Sequence, residues 1–367
     1  MGKEVTISID THVIHSPEEV YIIEAADGAG IYIPRLCHHP DLSPGPGTKS
    51  SPSVYRCGEI HEDKNPPGTP YDGCNICVVE IEGRGLCPSC STRVEEGMVI
   101  HTDTAALKEI RRNNLARILS LHPHACLVCA EHDGCDQDEC TEGVEKHGRC
   151  CAKFEMCEFQ RICEYVTIRD DVSEYVFRNI PVVDTPLFTF NPNLCIGCTR
   201  CVRACGKIQG KSVIGFTYKD GEFIMGTLGP SYKESGCVYC GACVAVCPTG
   251  ALMEKGLPWK KKAELQLAPV ILPPEEDFEA TEENIGTAPE ANGVYELLDE
   301  KRKVIFIRGT DNIRKDLREK LQSVKNARFF RYEEHGMYTM RESEKLERFL
   351  KTYGTLPEVN NEIADLY

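Results

Sequence analysis

CIGCTRCVRAC, residues 195–205, and CVYCGACVAVCP, residues 237–248, place eight cysteines at the same spacing in two short stretches. Each stretch contains C-x2-C-x2-C-x3-C, so the chain repeats one pattern internally. Three thiolates at this tight spacing can wrap one face of an iron–sulfur cube, whereas the spacing is poor for a structural zinc site. The repeat therefore predicts a pair of [4Fe–4S] clusters.

The ligands of the two predicted cubes are exchanged between the two stretches. In the two-cluster ferredoxin pattern the fourth cysteine points away from its own three partners and reaches the other cube. Gly206 stands where the pattern usually has proline, whereas Pro248 keeps it, and this difference affects a turn but no ligand. The predicted sets are Cys195, Cys198, Cys201 and Cys247 for one cube, and Cys237, Cys240, Cys243 and Cys205 for the other.

Composition limits the class of protein. The 367 residues suffice for two to four domains, and the 22 cysteines are the dominant feature. No secretory signal opens the sequence and no apolar run approaches the roughly 18 residues of a membrane span, so we expect a cytoplasmic protein with reduced thiols. The net charge of −15 disfavours a nucleic-acid partner.

A third metal site is predicted near the N-terminus. A C-x2-C pair precedes the predicted strand CVVEIEG, with one cysteine far upstream and another downstream. This arrangement resembles plant-type [2Fe–2S] ligation, although the first gap is longer; a zinc site is the alternative. The predicted strand at residues 4–9 and helix at residues 17–29 suit a β-grasp ferredoxin. The predicted ligands are Cys37, Cys74, Cys77 and Cys90, with Cys87 as the alternative to Cys90.

The remaining segments predict an α+β multidomain chain. Residues 40–73 are rich in Pro, Gly and Ser and predict a long loop, and residues 104–120 have helical apolar spacing. A β-α pattern follows residue 292. We predict a β-grasp [2Fe–2S] domain at residues 1–102, a second cluster domain at 103–170, a two-cluster ferredoxin domain at 171–255, a linker at 256–291 and a small α/β domain at 292–367.

Several motifs occur in one order along the chain: IPRLCHHP, GCNICVVEIEG, SCSTRVEEGM, HPHACLVC, CEFQRICEYV and the paired cysteine runs. Together they resemble the N-terminal part of the large iron–sulfur subunit of respiratory complex I. They equally resemble the small iron–sulfur subunit of NAD-linked hydrogenases and similar subunits of soluble NAD-dependent formate dehydrogenases. The resemblance covers about residues 1–255.

The resemblance implies a third [4Fe–4S] cluster, held by one histidine and three cysteines in the pattern H-x3-C-x2-C. His122, Cys126 and Cys129 stand at these positions, although from the residues alone His124 competes with His122. The last ligand is either Cys135, at the usual x5 distance, or Cys157, which begins the motif that follows the last ligand in the family. We favour Cys157, with an insertion between.

The insertion carries four further cysteines. A polar insertion cannot bury a large core, so a bound metal is a natural way to stabilise it. We predict an additional site there, zinc or a further iron–sulfur cluster, with free thiols in a loop as the alternative. Its predicted ligands are Cys135, Cys140, Cys150 and Cys151.

The C-terminal unit resembles the GIY-YIG nuclease fold through GVY at 293–295, FIRG at 306–309 and the helices that follow. The resemblance puts Tyr295, Arg314 and Glu344 near catalytic positions. Phe306 replaces the second tyrosine and Arg308 interrupts the motif. We therefore predict a degenerate copy used for docking.

The expected function is electron relay with no substrate site of its own, because no G-x-G-x-x-G or P-loop is present. The expected cofactors are one [2Fe–2S] and three [4Fe–4S] clusters. The resemblance implies as partners an NADH-binding flavoprotein, a small [2Fe–2S] subunit and a catalytic formate dehydrogenase or hydrogenase subunit, and extra clusters permit bifurcation to ferredoxin. The alternatives are a transhydrogenase, an acyl-CoA-reducing complex, or a metal-dependent nucleic-acid protein that uses the C-terminal domain.

Overall fold

The computed structural model describes residues 3–63, 68–129, 140, 143–153, 157–166, 175–210, 212–256, 267–273, 277–353 and 355–360. The chain divides into two compact units, residues 1–273 and residues 274–367. In chain order, the first unit contains β1 (Glu4–Ile9), β2 (His12–Pro17), α1 (Ile22–Gly28), β3 (Ser53–Arg56), β4 (Glu59–Glu62), β5 (Val78–Ile81), β6 (Gly85–Pro88), β7 (Val99–His101), α2 (Ala105–Leu119), α3 (Ala125–Val128), α4 (Glu158–Tyr165), β8 (Val183–Asp184), β9 (Phe188–Phe190), a 3-10 helix (Pro192–Leu194), α5 (Arg200–Gln209), β10 (Ile214–Lys219), β11 (Glu222–Thr227), α6 (Ala242–Ala245) and β12 (Leu252–Glu254).

A mixed sheet with the strand order β2-β1-β7-β5-β6 forms the N-terminal part, and β1 lies parallel to β7. The strand predicted at residues 4–9 is confirmed, because its alternate residues Val5, Ile7 and Ile9 are buried. Their core also contains the buried side chains of α1. This packing of one helix against a mixed sheet agrees with the predicted β-grasp arrangement.

The helix predicted at residues 17–29 is shorter than expected, because a strand takes its first part. Pro17 ends β2, where it pairs with Glu4 of β1. Proline lacks the N–H that a ladder needs and is tolerated at a strand end. α1 begins only at Ile22, and the backbone N–H of Tyr21 donates to the Glu24 carboxylate over 2.9 Å.

The predicted loop at residues 40–73 contains a hairpin, β3–β4, that composition did not reveal. The hairpin joins β10 and β11 in a sheet with the order β10-β11-β3-β4, and Tyr55 pairs with Thr227. The two backbones approach closely at Gly226, where a Cβ atom would lie 2.3 Å from the Tyr55 carbonyl oxygen. Glycine at 226 therefore permits a contact that attaches the N-terminal loop to the C-terminal half of the unit.

Helix α2, predicted at residues 104–120, is confirmed and ties the N-terminal sheet to the following segment. Its first turn is capped by Thr104, whose hydroxyl accepts a hydrogen bond from the Leu107 N–H over 3.3 Å. The buried Arg111 donates to the carbonyl oxygens of Ile76 and Val78, over 3.2 and 2.9 Å. These bonds fix the loop that carries Cys77.

The second unit is an antiparallel sheet with helices. It contains β13 (Phe278–Glu279), α7 (Glu282–Thr287), β14 (Gly293–Leu298), β15 (Val304–Thr310), α8 (Ile313–Ser323), β16 (Phe329–Glu334) and α9 (Tyr338–Tyr353), and the strand order is β13-β16-β14-β15. The strands and helices predicted after residue 292 agree with β14, β15, α8, β16 and α9. Part of the predicted linker, however, forms β13 and α7, because Phe278 stacks on Phe330 and Tyr332 in this core.

Candidate iron–sulfur centres

The structure brings together the four cysteines predicted near the N-terminus, which we call the N-terminal cage: Cys37, Cys74, Cys77 and Cys90. Each is less than 10% exposed. Hydrogen bonds from the Cys74 and Cys90 thiols hold the pKa of the Cys37 thiol well below its usual range, and a hydrogen bond from Cys90 also lowers the pKa of Cys77. Four buried thiols joined in the order Cys74–Cys37–Cys90–Cys77 form a donor set that suits a small iron–sulfur cluster.

The alternative ligand Cys87 lies apart from this hydrogen-bonded set. It stands within β6, where it pairs with Val79 of β5, and it is only partly buried. Cys90 follows the end of that strand, in the turn whose Ser89 hydroxyl donates to the Cys77 carbonyl oxygen over 2.7 Å. This arrangement favours Cys90 over Cys87 as the fourth member.

The two cysteine runs enclose two separate cavities with the predicted exchange of the fourth cysteine. The first cube cage is lined by Cys195, Cys198, Cys201 and Cys247, and apolar side chains such as Phe223, Met225 and Leu252 close it. The second cube cage is lined by Cys205, Cys237, Cys240 and Cys243, together with Phe188, Val213 and Ile214.

The backbone repeats along with the sequence. The third and fifth residues of both runs have positive φ: Gly197 at 67° and Thr199 at 59°, Tyr239 at 52° and Gly241 at 83°. These left-handed residues curl each loop around its cavity before α5 or α6 begins. Thr199 and Tyr239 carry a Cβ atom in this conformation, which is costly and typical of functional sites.

Burial controls the protonation of the cube thiols. It raises the pKa of Cys195 to about 11 and that of Cys198 to about 12. Two backbone N–H groups nevertheless point at sulfur: Val213 donates to Cys205 and Tyr239 donates to Cys237, each over 3.4 Å. Binding of a metal cluster would replace the thiol protons, because thiolates are the ligand form.

A buried hydroxyl lies near thiols of both cube cages. Within the described part of the chain the hydroxyl of Tyr232 has no hydrogen-bond partner, and the residue is 5% exposed. Burial is the main cause that raises the pKa of this hydroxyl. The next causes are the nearby thiols of Cys243 and Cys237 from the second cube cage and of Cys201 from the first. An unpaired buried O–H is costly, and sulfur atoms of bound clusters would supply an acceptor. The site therefore fits the clusters that its cysteine spacing predicts.

His122 has the geometry of a metal ligand. It is 5% exposed, and its Nδ1 donates to the Pro123 carbonyl oxygen over 2.6 Å, while Nε2 has no hydrogen-bond partner among the residues that the structure describes. Burial lowers the pKa of the ring to about 4, so the imidazole is neutral at pH 7. A carbonyl on one ring nitrogen, with the other nitrogen left open, is the usual arrangement around a metal-binding histidine.

His124 is less suited to this role. It is only partly buried, and its Nδ1 lies 3.0 Å from the His122 carbonyl oxygen and 3.2 Å from that of Leu119. The structure therefore favours His122.

The cavity beside His122, which we call the histidine cage, contains more cysteines than the family pattern requires. Its lining includes His122, Cys126 and Cys157, but also Cys150 and Cys151 from the insertion. Cys129 is not among the described residues that line it. Cys135, the alternative to Cys157, lies outside the described residues.

Of the additional metal site predicted in the insertion, the structure describes Cys140, Cys150 and Cys151, while Cys135 lies outside the described residues. Cys150 and Cys151 line the histidine cage, whereas the Cys140 sulfur accepts a hydrogen bond from the Val144 N–H over 3.2 Å. Within the described ranges, no three His, Cys, Asp or Glu side chains are arranged to hold a single metal ion. Cys150 and Cys151 thus lie with Cys157, whereas the sequence grouped them with Cys135 and Cys140.

Two arginines of α5 connect the cages, and sequence reasoning did not identify them. Arg203 donates hydrogen bonds to the carbonyl oxygens of Ser43 and Cys37, and also to that of Cys198 over 3.4 Å. Arg200 forms two hydrogen bonds of 2.6 Å with Glu158, the residue after Cys157. The only sequence signal was the position of both arginines inside the first cysteine run.

The Cys247 loop makes a third connection, from the first cube cage to the histidine cage. The Pro248 carbonyl oxygen accepts hydrogen bonds from the Phe159 N–H over 3.3 Å and from the Cys157 thiol over 3.6 Å. Lys153 donates to the Cys247 carbonyl oxygen. These contacts connect the first cube cage to the N-terminal cage and to the histidine cage.

Comparisons with known proteins agree with these centres. Residues 55–105 match a 2Fe-2S iron-sulfur cluster binding domain, and residues 194–251 match a 4Fe-4S dicluster domain. The chain is 30% identical over 305 residues to the NADP-reducing hydrogenase subunit HndD of Solidesulfovibrio fructosivorans, covering 77% of this chain and 42% of that one. It is 27% identical over 265 residues to the mitochondrial NADH-ubiquinone oxidoreductase 78 kDa subunit of Candida albicans, covering 71% and 30%.

The chain is a homologue of subunits of NAD(P)-linked oxidoreductases. The predicted resemblance to complex I and hydrogenase subunits is thereby confirmed, although the chain spans less than half the length of these two relatives. The fold is also similar to a chain of an NAD+-reducing [NiFe]-hydrogenase, with a TM-score of 0.51, 21% identity and coverage of 70% of this chain and 89% of that one.

In the second unit, the residues singled out by the predicted GIY-YIG resemblance make structural contacts. Tyr295 is fully buried and its hydroxyl donates to the Asp316 carboxylate over 2.9 Å. Arg314 donates to the Ala288 carbonyl oxygen over 2.6 Å and to Glu290 over 2.7 Å. Glu344 lies on α9, and its side chain is outside the described part of the structure. Among the described residues of the whole chain, no helix combines the length and apolarity that crossing a bilayer requires.

Proposed function

We propose that this chain is the iron–sulfur electron-relay subunit of an NAD(P)-linked oxidoreductase complex. One observation carries the proposal: among the described residues, buried thiols form four cages, one of them with His122, and contacts connect the first cube cage to the N-terminal cage and to the histidine cage. Iron–sulfur clusters, when bound, exchange electrons at potentials set by their ligands, charge, hydrogen bonds and exposure. The role of the chain is to hold such groups close together and away from water.

The proposed ligands follow from the cages. The N-terminal cage would hold a [2Fe–2S] cluster, and each cube cage a [4Fe–4S] cluster. In the histidine cage, His122, Cys126 and Cys157 would hold a third [4Fe–4S] cluster. The spacing of the sequence predicted Cys129 as a further ligand of that cluster, which needs one more thiolate.

The residues between the cages support relay rather than storage. Arg203 contacts the carbonyl oxygens of Cys37 and Cys198, and the Pro248 carbonyl contacts the Cys157 thiol. Tyr71, in an apolar setting, lies near Cys37, Cys74 and Cys198. A storage or scaffold protein has no need to press its metal sites against one another, whereas electron transfer requires short separations.

The proposed partners come from the relatives. An NADH-binding flavoprotein and a small [2Fe–2S] subunit would stand on one side and a catalytic hydrogenase or formate dehydrogenase subunit on the other, in the cytoplasm, with ferredoxin as a further acceptor. Isolation of the intact complex under anaerobic conditions identifies these partners. A transhydrogenase or acyl-CoA-reducing partner would change the terminal substrate and leave the role of this chain intact.

The second unit is proposed to dock a partner rather than to cleave nucleic acid. This is supported by Tyr295, which is fully buried and bonded to Asp316 instead of being open to a substrate. A nuclease assay with Mg²⁺ on the full chain tests the point, with Glu344→Gln as its comparison. Cleavage by the wild type that the variant loses would overturn the docking role.

Metal analysis tests the relay function directly. The chain isolated anaerobically should contain about 14 irons, from one [2Fe–2S] and three [4Fe–4S] clusters, and a matching amount of acid-labile sulfide. Electron paramagnetic resonance (EPR) of the reduced protein should show both cluster types. A colourless protein that contains only zinc would overturn the proposal.

A further inference from the structure

Arg203 is a buried cation whose hydrogen-bond acceptors are all neutral. The residue is 8% exposed. Its guanidinium donates to one hydroxyl, over 3.2 Å, and to three backbone carbonyl oxygens; the acceptors belong to Thr199, Ser43, Cys37 and Cys198. In the part of the chain that the structure describes, no Asp or Glu side chain forms an ion pair with Arg203.

The neighbouring arginine of the same helix shows what is missing. Arg200, three residues earlier on α5, is paired with the buried carboxylate of Glu158 over 2.6 Å. A buried charge normally needs such a partner, because removal from water is costly and neutral acceptors return only part of that cost. The carbonyl oxygens around Arg203 solvate its guanidinium, but they leave its positive charge without a counter-charge among the described residues.

The charge of Arg203 lies where two cages meet. In the sequence it stands inside the first cysteine run, and its side chain reaches the backbone of Cys37 in the N-terminal cage. Burial lowers the pKa of Arg203, and the thiols of Cys37 and Cys198 are the two groups that raise it most. An arginine stays protonated even when buried. One positive charge is therefore near a cysteine of each cage.

Iron–sulfur clusters would supply the negative charge that this position lacks. Four thiolate ligands outweigh the positive charge of either type of core, so the bound cluster is negative overall, and reduction adds one more negative charge. A nearby cation stabilises the reduced state more than the oxidised state, especially where water is excluded. It therefore raises the midpoint potential.

We propose that the guanidinium of Arg203 is a shared counter-charge for the [2Fe–2S] cluster of the N-terminal cage and the [4Fe–4S] cluster of the first cube cage, and that it raises the midpoint potentials of both. This inference rests on the proposed function. Because a single charge acts on both clusters, it shifts the two potentials in the same direction and changes their difference less than either value. Both clusters thus become easier to reduce, while the driving force for electron transfer between them is largely kept.

Three variants of the full chain separate charge from packing: Arg203→Gln, Arg203→Lys and Lys207→Gln. The glutamine at 203 keeps an amide donor for the carbonyl oxygens but loses the charge, whereas the lysine keeps the charge. Lys207 is the matched control, because it lies one turn further along α5, donates to the Asp41 carbonyl oxygen and is exposed to solvent. Midpoint potentials are measured by EPR during redox titration of protein isolated anaerobically.

Arg203→Gln should lower the midpoint potentials of the [2Fe–2S] signal and of one [4Fe–4S] signal. At a fixed potential the ratio of reduced to oxidised cluster should fall about tenfold for each, which is about 59 mV for a one-electron couple. Arg203→Lys should stay close to the wild type, and Lys207→Gln should match it. The inference is wrong if either potential is unchanged in Arg203→Gln, or if Arg203→Lys or Lys207→Gln shifts as far as Arg203→Gln.

Iron and sulfide analysis of each variant covers a failure to assemble. Loss of clusters in Arg203→Gln together with retention in Arg203→Lys would support the inference, because only the substitution that keeps the charge is tolerated. Loss in both variants would overturn it, since the lysine preserves the proposed counter-charge; in every other case the potentials decide. A wild-type chain without iron and sulfide would instead overturn the proposed function.

Discussion

The guanidinium of Arg200 and the carboxylate of Glu158 form two hydrogen bonds of 2.6 Å, and their side chains are 1% and 8% exposed. Arg200 lies between two cysteines of the first cube cage, and Glu158 follows a cysteine of the histidine cage. This buried ion pair therefore sets the position of one cage relative to the other. Both partners are needed, because either charge left alone in this environment would be uncompensated.

Removal of one partner should weaken the first unit strongly. Glu158→Ala leaves Arg200 buried without its counter-charge, and we expect the free energy of unfolding to fall by about 3–5 kcal/mol. Anaerobic denaturant unfolding, followed by cluster absorbance and circular dichroism, measures this. Lys3→Met is the matched control, because the Lys3–Glu18 pair is exposed and should contribute about 0–1 kcal/mol. Equal effects of the two substitutions would contradict a structural role for the buried pair.

Substitution of His122 should change a potential rather than remove a cluster. In His122→Cys a thiolate replaces the neutral imidazole, and the added negative charge should lower the midpoint potential of that cluster. EPR during a redox titration measures the shift. His124→Gln should leave the titration unchanged, because His124 is only partly buried and its Nδ1 lies near the backbone carbonyl oxygens of Leu119 and His122, although the residue also lines the cage. A His122→Cys titration identical to the wild type would show that the ligand assignment is wrong.

Removal of the hydroxyl of Tyr232 should lower the midpoint potential of a cube cluster. A hydrogen bond to cluster sulfur stabilises the reduced, more negative state, so Tyr232→Phe should shift the potential downward with the iron content unchanged. Tyr218→Phe is the comparison, because Tyr218 lies on β10 and its charged neighbours are Asp72 and Asp63. Unshifted potentials in Tyr232→Phe would mean that its hydroxyl does not reach a cluster.

The second unit should lose stability in acid. Burial would raise the pKa of Glu296, but Lys345 and Arg331 outweigh it and hold the pKa below its usual 4.5; Lys345 and Arg341 have the same effect on the pKa of Glu333. Because the folded pKa is depressed, these carboxylates contribute stability that is complete above about pH 4.5. That contribution is lost as the pH falls through the folded pKa. Hydrogen exchange of the strand at residues 293–298 in the full chain, corrected for the intrinsic rate, should show the loss.

Lys345→Met tests the source of this acid sensitivity. Lys345 Nζ lies 2.9 Å from Glu296 and 3.1 Å from Glu333, so its removal should destabilise the unit by about 1.5–3 kcal/mol at pH 7. It should also move the onset of acid unfolding to higher pH. Lys315→Met, at an exposed position on α8, is the control and should change neither quantity. A Lys345→Met variant with the acid profile of the wild type would contradict this account.

The sequence predicted best where the interacting residues are close along the chain. The two cysteine runs define their cages because three ligands of each lie within seven residues, and the short loops can curl in few ways. Apolar alternation predicted β1, and helical spacing predicted α2. Long-range pairing was harder to predict: the hairpin at residues 53–62 forms only because β11 offers it an edge, with Gly226 permitting the approach.

By itself the sequence determined the type of cofactor, since the number and spacing of the cysteines indicate iron–sulfur clusters. Only the tertiary structure decided which of several equivalent cysteines meet. Cys37 joins Cys74 through packing of the N-terminal sheet, and Cys151 reaches Cys157 because both lie against the loop that contains Pro248 and Gly250. The physical reason is that such contacts form when whole helices, strands and loops pack against one another. Local sequence patterns do not show which distant residues this packing brings together.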